Sequence, residues 1–170
     1  MNTKTVDAAS SEAFVKLPVQ APRPTPETSQ LIERLVSVHG ATWVDEKTID
    51  AWAAEGGDRV VLFAGDAVQF PEGQDVAVVL PELQRCFAGR FKVAVVPREI
   101  EQDLAKRYGS QRWPTLLFLR DGQYVTTLCG MHDWDEYVQE MARALAMPIS
   151  RAPTIGIPVV SATASGASCH

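Results

Sequence analysis

Apolar residues along the chain alternate between two spacings, and each change of spacing marks a new element. Leu31, Ile32, Leu35 and Val36 recur at helical intervals, with Gly40 as a C-terminal stop. Ala41 to Val44 is a short strand candidate, and Asp45 can cap a short helix that buries Ile49, Trp52 and Ala53. Arg59 to Gly65 reads RVVLFAG, an apolar run bounded by turn formers, which predicts a strand covered on both faces. A loop from Asp66 to Asp75 leads into the apolar helix VAVVLPELQRCF, where Pro81 removes a backbone donor and predicts a kink or break. Arg90 to Pro97 sets Phe91, Val93 and Val95 against Lys92, Ala94 and Val96, a strand pattern. Ile100, Leu104 and Tyr108 share one helix face that ends at Gly109. Leu116–Arg120 and Gln123–Cys129 flank Asp121-Gly122, a two-residue hairpin signal. In the last helix Trp134, Tyr137, Val138, Met141 and Leu145 form one stripe, and Asp133 with Glu136 makes a capping-box pattern at its start.

The resulting order, α-β-α-β-α-β-α-β-β-α, predicts an α/β fold. Its central mixed sheet combines a parallel βαβ half with an antiparallel hairpin, and helices flank both faces. The proline-rich run PVQAPRPTP closes a flexible N-terminal segment, residues 1–25. The folded domain is expected over 26–147, followed by a Pro-, Gly-, Ala- and Ser-rich tail, 148–170, without helical period.

Composition narrows the function classes. The chain has 170 residues, 46% hydrophobic and 22% charged, which suits one soluble domain with tails. A net charge of −5 with no dense Lys/Arg run argues against nucleic acid as a partner. No apolar run approaches a membrane span, and the first twenty residues lack a signal-peptide core, so a cytoplasmic location is expected. Cys86, Cys129 and Cys169 are too few and too scattered for a disulfide framework.

The loop after the buried strand, GDAVQFPEGQD, holds no cysteine. It carries Asp66, Glu72 and Asp75 instead, and from Gly65 to Gln84, a stretch that also includes Glu82, there is no Lys or Arg. Acids suit a helix N-terminus but disfavour a nearby thiolate. Cys86 reads as a buried small hydrophobe and Cys129 as a structural strand end. Cys169-His170 offers only two ligands on a tail, so no metal site is expected. His39 reads as a helix-end residue without a role. His132 has two readings, a surface recognition group or part of a helix cap, with Trp134 anchoring its helix in the core.

The run WPTLLFLRDG, with Tyr108-Gly109 before it and Gly130 after it, resembles the second half of a thioredoxin, where the proline is cis. The element order matches that fold as well. Adding DAVQFPEGQDVAVVLPELQRCF and Gly130-Met131-His132-Asp133-Trp134, the chain from about Leu31 to Leu145 resembles the hydrogenase-operon accessory family called HyaE, HupG or HoxO. The resemblance implies a redox-inactive, thioredoxin-like assembly protein. It would act on the small, iron–sulfur subunit precursor of an uptake nickel–iron hydrogenase before twin-arginine export, alongside other hydrogenase accessory proteins.

Taken together, these readings give a non-catalytic chaperone with no cofactor. Its expected partner-binding residues are Asp66, Glu72, Asp75, Glu82, Trp113, Pro114 and His132. The acids suit an arginine pair, and Trp113-Pro114 suits an extended peptide, although Trp113 also fits ordinary core packing. Two alternatives remain: a monothiol reductase or transferase using Cys86 or Cys129, and a metal carrier using Cys169 and His170.

Overall fold

In the computed structural model, which describes residues 29–153, the chain runs α1 (Gln30–Ser37), β1 (Thr42–Trp43), α2 (Ile49–Ala54), β2 (Asp58–Phe63), α3 (Glu72–Cys86), β3 (Phe91–Val95), α4 (Arg98–Arg107), β4 (Thr115–Arg120), β5 (Gln123–Cys129) and α5 (Trp134–Ala146). The predicted leader and the tail beyond 153, with Cys169 and His170, lie outside the described residues. One five-stranded sheet has the order β1-β3-β2-β4-β5. β1–β3 and β3–β2 pair parallel, while β2–β4 and β4–β5 pair antiparallel. This is the thioredoxin-like arrangement.

Alternation along the strands divides the core in two. Phe91, Val93 and Val95 of β3 face a layer filled from α1, α3 and α5, whereas Ala94 and Val96 face one filled from α2 and α4. β2 lies between these layers, which explains why Val60 to Phe63 are all fully buried without a polar alternate. The Asp121-Gly122 turn has positive φ at both residues (51° and 79°), and a register shift lies just ahead of it, between Phe118 and Leu119.

At the end of the sheet away from the hairpin's open side, an ionic clamp ties α5 down. Asp58 accepts from Arg120 Nε at 2.6 Å and from Arg90 Nε at 3.2 Å. Both guanidinium groups also donate to the Leu145 carbonyl, and Arg120 donates to that of Met147. Cations at a helix C-terminus satisfy its free carbonyls and oppose its dipole.

Five expectations change here. Pro81 does not break α3, because its flanking residues Val76, Ala77, Leu80 and Leu83 are all buried and packing holds the helix across the missing donor. Cys86 is exposed rather than buried, since the partly buried Phe87 takes the next core position. Trp134 is 46% exposed, and Tyr137, Met141, Ala144 and Leu145 anchor α5 in its place. No capping-box hydrogen bond forms at Asp133, because Glu136 pairs with His132 instead. Residues 148–153, read as the start of the tail, lie against the domain. Ser150 N–H donates to the Tyr124 carbonyl, Ala152 packs on the second core and Pro153 sits over Gly109.

The N-terminus of α3 touches the end of β2 directly. A Cβ on Gly73 would stand 2.0 Å from the Ala64 carbonyl oxygen. Gly73→Ala gains about 1 kcal/mol of helix propensity but must push two backbones apart, which costs about 1–3 kcal/mol and more where backbone cannot yield. The variant should therefore unfold at lower urea than the parent; a raised midpoint would contradict the close approach.

Candidate functional site

The end of β5, the loop Gly65–Pro71 and the segment ahead of β4 enclose a groove of about 320 Å³. Phe70, Gln111, Arg112, Trp113, Cys129 and Gly130 line it. Phe70 and Trp113 stack with centroids 5.8 Å apart and planes at 29°. They can do so because residue 65 is glycine, with φ +81°: a Cβ there would stand 2.8 Å from Trp113 Cβ and 2.9 Å from Phe70 Cδ2.

The segment ahead of β4 is held by hydroxyls. Thr115 is fully buried, and its Oγ1 donates to the Arg112 carbonyl at 2.6 Å while accepting from Ser110 Oγ at 3.0 Å. The Trp113-Pro114 peptide bond is cis, and the Pro114 carbonyl accepts from Gly130 N–H at 2.8 Å. The backbone N–H and C=O of Trp113 meet no hydrogen-bond partner among the described residues.

On the opposite wall, His132 Nε2 lies 3.0 Å from the Cys129 carbonyl and its Nδ1 lies 3.2 Å from Glu136 Oε2. The imidazole stacks edge-on against Tyr137 at 5.2 Å. Tyr137 Oη donates to the Gly130 carbonyl at 3.0 Å, and burial pushes its pKa up to about 12, so this donor stays protonated. His132 therefore braces the wall from behind. Met131 and Trp134, on either side of His132 in the chain, are both exposed.

The acidic residues are arranged differently. None of Asp66, Glu72, Asp75 and Glu82 lines the groove, where the charged side chain is Arg112. Asp66 Oδ1 accepts from Val68 and Gln69 N–H at 2.9 and 3.0 Å, which closes its own loop. Those two amides hold its carboxyl below the ordinary 3.8. Glu72 and Asp75 are exposed in the first turn of α3, beside Phe70. Glu82 lies about 15 Å further along the helix and pairs with Arg85 at 2.8 Å. Loop acids and groove thus share one end of the molecule, and Glu82 does not.

Sequence reasoning missed Glu101. Only 1% exposed, it directs both carboxylate oxygens at Gly65 N–H, at 2.9 and 3.1 Å, with Arg98 Nη1 at 3.4 Å. Burial pushes its carboxyl above the ordinary 4.5, although the amides of Gly65 and Ala64, the Arg98 guanidinium and the Trp113 indole pull it back. The signal was available: Glu101, Leu104, Ala105 and Tyr108 follow the i, i+3, i+4, i+7 rule of a buried stripe. Among the described residues no group of three metal-ligating side chains occurs, and no helix is long and apolar enough to cross a membrane.

Comparison with known proteins places this geometry. A family model described as Hydrogenase-1 expression protein HyaE matches residues 31–137. The hydrogenase expression/formation protein HoxO of Cupriavidus necator is 60% identical over 153 residues, covering 88% of this chain and 94% of that protein. HupG of Bradyrhizobium diazoefficiens, also a hydrogenase expression/formation protein, is 37% identical over 126 residues, covering 72% and 85%. A thioredoxin of Bacillus subtilis is 32% identical over 94 residues, covering 55% of this chain and 89% of its own.

A pH experiment isolates Glu101. Its carboxyl binds a proton more tightly folded than unfolded, so its contribution is most favourable below 4.5 and is lost as pH rises through the elevated folded value. The stability of the parent relative to Glu101→Gln should fall as pH climbs above 4.5 and then level off. Urea unfolding of both proteins from about pH 4 to 8 measures this, and a pH-independent difference would contradict it.

Proposed function

The chain belongs to the HyaE family of hydrogenase expression proteins, and on that premise we propose that it is a cytoplasmic, non-catalytic assembly chaperone. Its client is the small, iron–sulfur subunit precursor of an uptake nickel–iron hydrogenase, held with its twin-arginine signal peptide before export. The groove carries this reading. It combines a stacked Phe70–Trp113 pair with unpaired Trp113 backbone groups, beside a loop that has acids where a redox dithiol would stand. An extended apolar peptide stretch fits such walls, pairing with the Trp113 backbone by strand addition.

The arginine pair of the same peptide falls to Glu72 and Asp75, exposed beside Phe70 at the groove's edge. Asp66 serves the site by shaping the loop, and His132 by bracing Cys129 and Gly130. Glu82 sits too far along α3 to join them. Arg112 repels misplaced cations from the groove itself, which favours one orientation of the peptide.

One observation favours a second reading, a monothiol reductase or transferase. Cys129 lines the groove, with Thr115 Oγ1 3.4 Å from its sulfur. Cys86 has no such claim, being at the C-terminal end of α3, opposite the helix terminus that meets the groove. Fast alkylation of Cys129 in the native protein, with turnover of a disulfide substrate, would support this reading over the chaperone.

The test is a titration with small-subunit precursor and with its leaderless form. Trp113→Ala should weaken precursor binding by about 2 kcal/mol, roughly 30-fold, as central interface tryptophans do. Glu72→Lys with Asp75→Lys should weaken it by about tenfold and flatten its salt dependence, while Asp66→Asn, which keeps the turn-closing acceptor, should change little. If the parent protein binds neither form of the subunit, the proposal fails.

A further inference from the structure

Glu101 is the one buried carboxylate among the described residues, and the reading above leaves it without a role. Burying an ionisable group costs several kcal/mol before compensation. Its neighbours on the α4 stripe, Leu104, Ala105 and Tyr108, show that an apolar residue at 101 would serve packing alone. The carboxylate instead sends both oxygens to a single amide, that of Gly65.

That amide lies at the junction of the groove with the interior. On its far side Gly65 presses against Trp113 Cβ and Phe70 Cδ2, so the direction of its N–H and the seat of both rings are set together. Trp113 Nε1 is buried without a hydrogen-bond partner. Arg98 approaches from the side, and its Nε is buried and unpartnered as well. Two orphan donors thus flank one carboxylate directly beneath the groove.

We propose that Glu101 is the positioning residue of the client groove: it holds the Gly65 amide, and through Gly65 it sets the seat of the Phe70 and Trp113 rings. This rests on the reading of the groove as the client site. Arg98, on the same helix, is the charged group acting on the carboxylate. β2 and its loop face it with the amides of Ala64 and Gly65, and the segment ahead of β4 faces it with the indole. Asp66, next along the loop, feels the same guanidinium. Protonation turns one of the two oxygens that accept from Gly65 N–H into a hydroxyl and so loosens the hold on that amide.

Fluorine NMR of the full chain labelled with 5-fluorotryptophan tests this without any client. Trp113 is assigned among Trp43, Trp52 and Trp134 by a Trp113→Phe variant. Its resonance should shift as pH rises through the elevated carboxyl value in the parent and lose that titration in Glu101→Gln. A Trp113 resonance that does not titrate, or that titrates equally in Glu101→Gln, overturns the proposal. Binding of a synthetic twin-arginine signal peptide at neutral pH adds a second arm. Glu101→Leu should lose about tenfold in affinity, and Glu101→Gln, which retains one acceptor for Gly65, should lose less than about threefold. Equal losses in the two variants, or none in Glu101→Leu, also overturn it. Peptide that fails to bind the parent overturns the client reading instead, and the fluorine titration then decides the role of Glu101 by itself.

Discussion

One backbone position that can carry no side chain sets the arrangement of the groove. Gly65 lies two residues past β2 at φ +81°, with two aromatic side chains within contact of where a Cβ would stand and a buried carboxylate on its amide. Any other residue would separate Phe70 from Trp113 or turn the amide away from Glu101. The loop, the segment ahead of β4 and α4 meet only because this position is empty. The hydroxyl network of Ser110 and Thr115 fixes the same segment from beneath, so the groove is preorganised on both sides.

The surrounding frame is that of a thioredoxin, and its electrostatics have been turned over. A helix N-terminus stabilises negative charge, which in a dithiol enzyme serves a thiolate. Here Glu72 and Asp75 occupy the first turn of α3, so the dipole is matched by fixed carboxylates rather than by a reactive sulfur. In the proposed reading, the fold's capacity to orient an extended chain passes to the Trp113 backbone, which meets no hydrogen-bond partner among the described residues. The accessory role in hydrogenase formation belongs to the family.

Element order, strand alternation and the Asp121-Gly122 hairpin were legible because each depends on local periodicity and turn chemistry. What was lost depended on competition between neighbours. Cys86 and Phe87 both fall near the core face of α3, and the larger side chain took the place. Trp134 has the right spacing for the α5 stripe but begins the helix, where the sheet no longer covers it. Glu136 met both a capping pattern and a histidine, and the histidine won. The acidic run seemed one surface in the sequence, but a helix of fifteen residues carries Glu82 away from its partners. Glu101 was overlooked because a charged residue in a stripe is ordinarily a solvated one, and only tertiary structure shows the amide it serves.

The path of the chain after α5 bears on the order in which the protein is completed during synthesis. Residues 148–153 cross β5 and bring the Pro153 carbonyl over Gly109, immediately ahead of the segment that leads to Trp113. A ribosome delivers the chain from its N-terminus, so the groove's floor can form early, but its β5 wall and the brace over Gly109 arrive last. The nascent protein thus gains its full groove only after nearly the whole described chain has emerged.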